Sequence, residues 1–132
     1  MAAVDRPVMK PRPVYLNLFA IRMPLPAVVS ILHRASGALL FLVGIPLVLC
    51  TLQRALASPE SWAEIRQLFQ SPLAKLVAVA LAWAFLHHLF AGIRHVLMDA
   101  HVGVDLASAR RSAAVALVLA VVTTLAIAVR LW

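Results

Sequence analysis

The chain is 132 residues long, 64% hydrophobic, and carries a formal net charge of +7, with a mean hydropathy of +0.96. That is too apolar for an ordinary soluble domain of this length, and it leaves room for a single domain over residues 1–132. The charge does not signal nucleic acid, because the basic residues flank apolar runs instead of gathering on one polar face.

The N-terminal segment, residues 1–25, opens MAAVDRPVMKPRPVYLNL. It is polar and broken by proline, with no apolar stretch ahead of a small-residue cleavage site, so no cleavable signal is expected. It also lacks the Ser/Arg-rich amphipathic character of an organelle transit peptide.

Three runs then follow that are long enough to cross a bilayer, for which roughly 20 apolar residues are needed. They cover residues 27–52, 73–98 and 112–132. Pro24 and Pro26 stand before or in the first turn of the first run, where a missing N–H costs little. Pro46 falls inside that run and should kink it, which neighbouring helices tolerate in a membrane. Cys50 is the one cysteine; it excludes an internal disulfide and a Cys-based metal site and reads as a small core hydrophobe.

Between the first two runs lies SPESWAEIRQLFQ. Ser58-Pro59 is a helix start, and Trp62, Ile65, Leu68 and Phe69 fall on one face, so a short helix lying in the interface is expected. Ser71-Pro72 starts the second run in the same way, with a cap and then proline. The third run holds no ionisable residue until Arg130, and Thr123 and Thr124 can return their hydroxyls to the helix backbone. The expected fold is all-α and integral to the membrane, with three spanning helices running up, down and up.

The lysines and arginines set the orientation. Arg6, Lys10, Arg12, Arg22, Arg94, Arg110 and Arg111 lie on one side; Arg54, Arg66, Lys75 and Arg130 lie on the other. The richer side should be cytoplasmic, which puts the N-terminus in the cytoplasm and the C-terminus outside.

Against that frame, the polar residues within the spans stand out. Ser30, His33 and Arg34 (in SILHR) are related by three and four residues and share a helix face, which Gly37 and Gly44 continue. The second span runs the other way and brings Arg94, His95 and Asp99 to the same membrane depth. On it, Ala84, His88, Gly92 and His95 form one stripe, at steps of four, four and three. Small residues one turn either side of His88 leave room for a large flat group. His88 lies about 10 Å deeper than the Arg94–His95 level, at a rise of ~1.5 Å per residue. Those requirements suit a haem, with an imidazole to the iron and basic side chains to the propionates nearer water.

Taken singly, each residue has a plainer role available. His88 is either a hydrogen-bond partner for another helix or a metal ligand, and intramembrane ionisable groups default to function. His87 points about 100° away from His88, so the two cannot serve one iron from one side; it is expected to make a polar contact to another helix. Arg34 can snorkel to the interface, Arg94 and Asp99 can form a helix-end pair, and His101 falls beyond the span, in solvent.

RPVYLNLFAIRMPLPAVVSILHRASG together with HLFAGIRHVLMD resembles the cytochrome b membrane-anchor subunit of bacterial succinate dehydrogenase (succinate:quinone oxidoreductase, respiratory complex II). The resemblance covers almost the whole chain, and it rests on SILHR-x-SG combined with H-x3-GIRH-x3-D.

It implies a heterotetramer in the bacterial inner membrane, with the C-terminus periplasmic. The partners would be a flavoprotein subunit, an iron–sulfur subunit and a second hydrophobic anchor subunit; no nucleic acid is involved. It implies one haem b shared with that second anchor, the two packing into a haem-binding helix bundle in which His88 is the only axial ligand from this chain. Ser30 and Arg34 would line the ubiquinone site. His33 and Arg34 would lie near the propionates, with His95 and Arg94 as further contacts, and Asp99 would help to order the arginines. Ubiquinone is then the substrate, receiving electrons from the iron–sulfur subunit. No dicarboxylate chemistry falls to this chain, which would be one subunit of an enzyme and not catalytic alone. The doubled His87-His88 departs from the commoner single histidine and leaves the ligand assignment open.

Two other readings fit part of the pattern. One is the anchor of a quinol:fumarate reductase, running the reverse chemistry; the single-haem, split-ligand pattern favours the succinate form. The other is a haem-free scaffold or small transporter, which should carry polar groups right across the membrane, whereas here they stop in one half.

Overall fold

A computed structural model describes residues 20–132. The expectations for residues 1–19, including Arg6, Lys10 and Arg12, lie outside the described residues. Among those described, every element is helical: α1 (Leu25–Ala55), α2 (Pro59–Leu68), α3 (Pro72–Asp99) and α4 (Leu106–Leu131). The expected all-α architecture is found, and α1, α3 and α4 are each long and apolar enough to cross a membrane.

The starts are built as the sequence indicates. Ser58 Oγ accepts the Ser61 N–H at 3.1 Å, and Ser71 Oγ accepts the Ala74 N–H at 3.2 Å, each with proline at the next position. The third spanning helix starts at Leu106, six residues before the expected 112, because Asp105 caps it: its carboxylate accepts the Ser108 N–H at 3.0 Å. Hydrogen bonding from Ser108 holds that carboxyl below the ordinary aspartate range. Arg110 and Arg111 thus lie within the first turns of α4, both exposed.

Pro46 leaves its mark one turn earlier than the proline itself. Leu40–Gly44 is a π-helical turn in which the Ile45 N–H reaches back to the Leu40 carbonyl. Pro46 cannot bond the Leu42 carbonyl, and its ring crowds that group; the widened turn absorbs the mismatch without ending the helix. At the other end of the bundle, α3 closes through His101 at φ 64°, with the His101 and Val102 N–H groups returning to the Met98 and Leu97 carbonyls. His101 is exposed there, as expected.

Packing is antiparallel at both interfaces. Gly37 faces His88 and Gly44 faces Leu81 across α1 and α3. Arg94 meets Ala109 at one end of the α3–α4 pair, and Lys75 Nζ lies 5.4 Å from the Trp132 ring at the other. The interior consists of small side chains, Ala84 and Ala91 from α3 and Ala109, Ala113, Ala116 and Ala120 from α4, with Val29 of α1 packed on Ala91 and Ala113. Small residues allow close backbone approach, while large ones such as Phe41, Leu42 and Val129 point outward; this is how helices pack when lipid is the solvent. Thr123 and Thr124 do return their hydroxyls to the Leu119 and Ala120 carbonyls, each at 2.6 Å. Of the apolar face expected at α2 only Ile65 is buried; Trp62, Leu68 and Phe69 are exposed, and so is Cys50, expected in the core but carried on the outward face of α1.

Candidate functional site

The adjacent histidines of α3 part ways, as 100° of helical rotation requires. His87 belongs to the buried stripe with Ala84, Ala91 and Arg94. His88 lies on the neighbouring face, beside an open groove of ≈ 350 Å³ that it lines with Leu89, Gly92, Ile93, Val96 and Leu97.

The polar contact expected of His87 is not made. Its ring is fully buried, both nitrogens lack a hydrogen-bond partner, and it stacks on Trp83 of its own helix at 5.4 Å between centroids. Ala84 and Ala91 flank it on the same face of α3.

His88, by contrast, is held. Its Nδ1 lies 3.0 Å from the His33 carbonyl and 3.3 Å from Ser36 Oγ. A carbonyl only accepts, so Nδ1 carries the proton and donates, which leaves the Nε2 lone pair as the one a metal can use. Ser36 Oγ itself donates to the same His33 carbonyl at 3.0 Å. Gly37 makes the fit possible, since a Cβ there would stand 2.7 Å from His88 Cε1.

Toward the Arg94 end, the rings of His88, His33 and His95 form a row. His33 stacks on His88 at 4.1 Å with 8° between planes, and on His95 at 4.8 Å. A Cβ on Gly92 would lie 3.4 Å from His33 Nε2, within ordinary contact distance of the ring. His95 Nδ1 donates to the Ala91 carbonyl at 2.6 Å.

Ser30 and Arg34 precede Gly37 by steps of seven and three, and so share its stripe along α1. Val29 and Ser36 are buried, Val29 toward α4, whereas Ser30 is half-buried and Arg34 exposed on the other flank. The chain thus brings His33, His88 and His95 together between α1 and α3, with Ser30 and Arg34 on the same stripe of α1 as His33.

Arg94 is not among them. Its guanidinium turns to α4, donating from Nε to Ser112 Oγ at 3.0 Å and from Nη2 to the Ala109 carbonyl at 3.3 Å. Asp99 ends α3 in an exposed position. Ser36 is the contact that sequence reasoning missed; the only trace of it there is its place in SILHR-x-SG.

Three antiparallel helices, each long and apolar enough to cross a membrane, with a row of histidines beside an open apolar groove, define a multi-pass membrane protein. The model of the family described as "Succinate dehydrogenase/Fumarate reductase transmembrane subunit" matches residues 9–127. The chain is 46% identical over 89 residues to the succinate dehydrogenase cytochrome b556 subunit of Coxiella burnetii (strain RSA 493 / Nine Mile phase I), covering 67% of this chain and 70% of that one. It is 35% identical over 116 residues to the succinate dehydrogenase cytochrome b556 subunit of Paracoccus denitrificans, covering 85% and 88%. The chain belongs to the family of succinate dehydrogenase and fumarate reductase transmembrane subunits, as a membrane anchor of the cytochrome b kind.

Proposed function

We propose that this chain carries one axial ligand of a haem b and part of a ubiquinone-reduction site in a succinate:ubiquinone oxidoreductase of the bacterial inner membrane. The observation that carries this reading is the 3.0 Å contact between His88 Nδ1 and the His33 carbonyl: a carbonyl can only accept, so Nδ1 is the donor and Nε2 is the nitrogen available to iron. The residues present suit the group. The groove walls beside His88 are Leu89, Gly92, Ile93, Val96 and Leu97, and His33 and His95 stand between His88 and the polar end of α3. When bound, haem supplies a one-electron redox centre whose potential its ligands and surroundings set.

A second hydrophobic anchor seated over the groove would supply the remaining protein contacts that hold the haem. His33, Arg34 and His95 offer N–H donors to the propionates. Arg94 acts from behind, fixing the end of α3 to α4. Ser30 donates its hydroxyl to a quinone carbonyl, and Arg34 balances the negative charge that develops as the quinone is reduced, in a site where low dielectric strengthens the interaction. Electrons arrive from an iron–sulfur subunit and originate on a flavoprotein, so this chain binds and orients the acceptor only. The excess of basic residues at the Arg22 and Arg110 ends supports a cytoplasmic N-terminus and a periplasmic C-terminus.

The decisive experiment is a reduced-minus-oxidised visible spectrum of the purified membrane complex, together with its succinate:ubiquinone reductase activity. A b-type α-band with quinone reduction is expected. An assembled, succinate-oxidising complex with no such band overturns the haem assignment.

A further inference from the structure

We infer that Ser36 and Gly37 form a socket that fixes the ring and tautomer of His88, and so act as positioning residues for the redox centre. The inference rests on the reading of His88 as the haem ligand.

Two contacts carry it. Gly37 lies against the ring: any side chain there places a carbon 2.7 Å from Cε1, well inside the closest real approach, with Nδ1 at 3.2 Å and Nε2 at 3.7 Å. Ser36, with 4% of its surface exposed, meets the ring from its Nδ1 side at 3.3 Å and donates to the His33 carbonyl at 3.0 Å. The His33 carbonyl therefore takes two side-chain donors, the Ser36 hydroxyl and His88 Nδ1–H. An imidazole that donates Nδ1–H to a strong acceptor becomes a more electron-rich ligand through Nε2. The hydroxyl draws density from that same carbonyl and so limits the effect. One turn of α1 thus sets both where the ring stands and how strongly it donates.

The test uses the purified complex carrying Ser36→Ala, Ser36→Thr, Gly37→Ala or His88→Leu. Its readouts are haem content, the reduced visible spectrum, the low-spin ferric EPR signal and a redox titration. Gly37→Ala should displace the ring and shift or diminish the low-spin signal. Ser36→Ala should keep haem content but lower the midpoint potential, since the carbonyl is left with Nδ1–H as its one side-chain donor. Ser36→Thr restores the hydroxyl and should return the potential toward wild type. A purely structural serine would change assembly or stability without moving the potential. If Gly37→Ala fails to assemble, Ser36→Ala and Ser36→Thr decide the matter alone.

The inference is overturned if both Ser36→Ala and any assembled Gly37→Ala complex keep the wild-type EPR signal and potential while His88→Leu loses the haem. If His88→Leu keeps a normal spectrum, the assignment of His88 itself has failed, and the socket falls with it.

Discussion

Arg94 of α3 donates from Nε to Ser112 Oγ of α4 at 3.0 Å, with 6% of its surface exposed. A guanidinium is among the costliest groups to hold among apolar helices, and this one finds acceptors within the chain for Nε and Nη2. Ser112 in turn donates to the Ala109 carbonyl, which Arg94 Nη2 also reaches. The triangle ties the end of α3 to the start of α4 behind the row of histidines.

Arg94 should therefore govern stability before it governs redox chemistry. In Arg94→Leu, Ser112 keeps its bond to Ala109, so no buried polar group is orphaned; the complex should retain its haem spectrum and lose stability, by about 1–3 kcal/mol for lost charge-assisted bonds. Arg94→Lys should be less stable still, because an ammonium lacks the planar fork that reaches both acceptors and stays charged. Thermal inactivation in detergent checks the order. A Leu variant of normal stability with an altered potential would put Arg94 on the haem side instead.

The two adjacent histidines give opposite expectations. His88→Leu should abolish the low-spin b-type spectrum. His87→Leu should leave it nearly normal, since its ring belongs to the buried stripe of α3 with Ala84 and Ala91 and not to the groove beside His88. The reduced spectra of both variants check this. If the spectral effects were exchanged, the ligand would be His87.

How far such residues could be read in advance depends on whether their contacts are local. The caps at Ser58 and Ser71 and the sharing of one face by Ser30, His33 and Arg34 follow from spacing along one helix, and the sequence contains them. The start of α4 at Leu106 was hidden because Arg110 and Arg111 look like loop residues, although Asp105-x-x-Ser108 forms a cap. The effect of Pro46 emerged as a π turn at Leu40–Gly44, a backbone adjustment with no side-chain signature. Ser36 against His88 and Arg94 against Ser112 are contacts between helices, set by how α1, α3 and α4 rotate against one another. Helical periodicity gives faces, but not which neighbour each face meets.

The orientation proposed from the charge imbalance is tested by accessibility. In a Cys50→Ala background, Asp5→Cys and Val104→Cys should resist an impermeant thiol reagent added to intact spheroplasts, whereas Glu60→Cys should react. Lysis should expose the first two. Labelling of residue 5 or 104, without residue 60, would reverse the topology.

Ser30 and Arg34 are expected to serve the quinone more than the fold. Ser30 is half-buried and Arg34 exposed, so neither supports the packed interior formed by Val29, Ala91 and Ala113. Ser30→Ala removes one hydroxyl, and a hydrogen bond is worth about 0.5–1.5 kcal/mol net; the complex should assemble normally. Arg34→Leu removes a charge whose influence is greatest when the quinone itself gains negative charge. Both variants should oxidise succinate at the wild-type rate with an artificial acceptor that takes electrons upstream. Ubiquinone reduction should fall, by about tenfold for each ~1.4 kcal/mol of lost transition-state stabilisation. Ser30→Ala should raise the apparent KM for quinone, because the hydroxyl holds the bound acceptor, while Arg34→Leu should depress kcat, because the charge acts as reduction proceeds. Loss of the artificial-acceptor activity would mean that the complex had not assembled. Unchanged ubiquinone reduction in both variants at limiting quinone would remove Ser30 and Arg34 from the site.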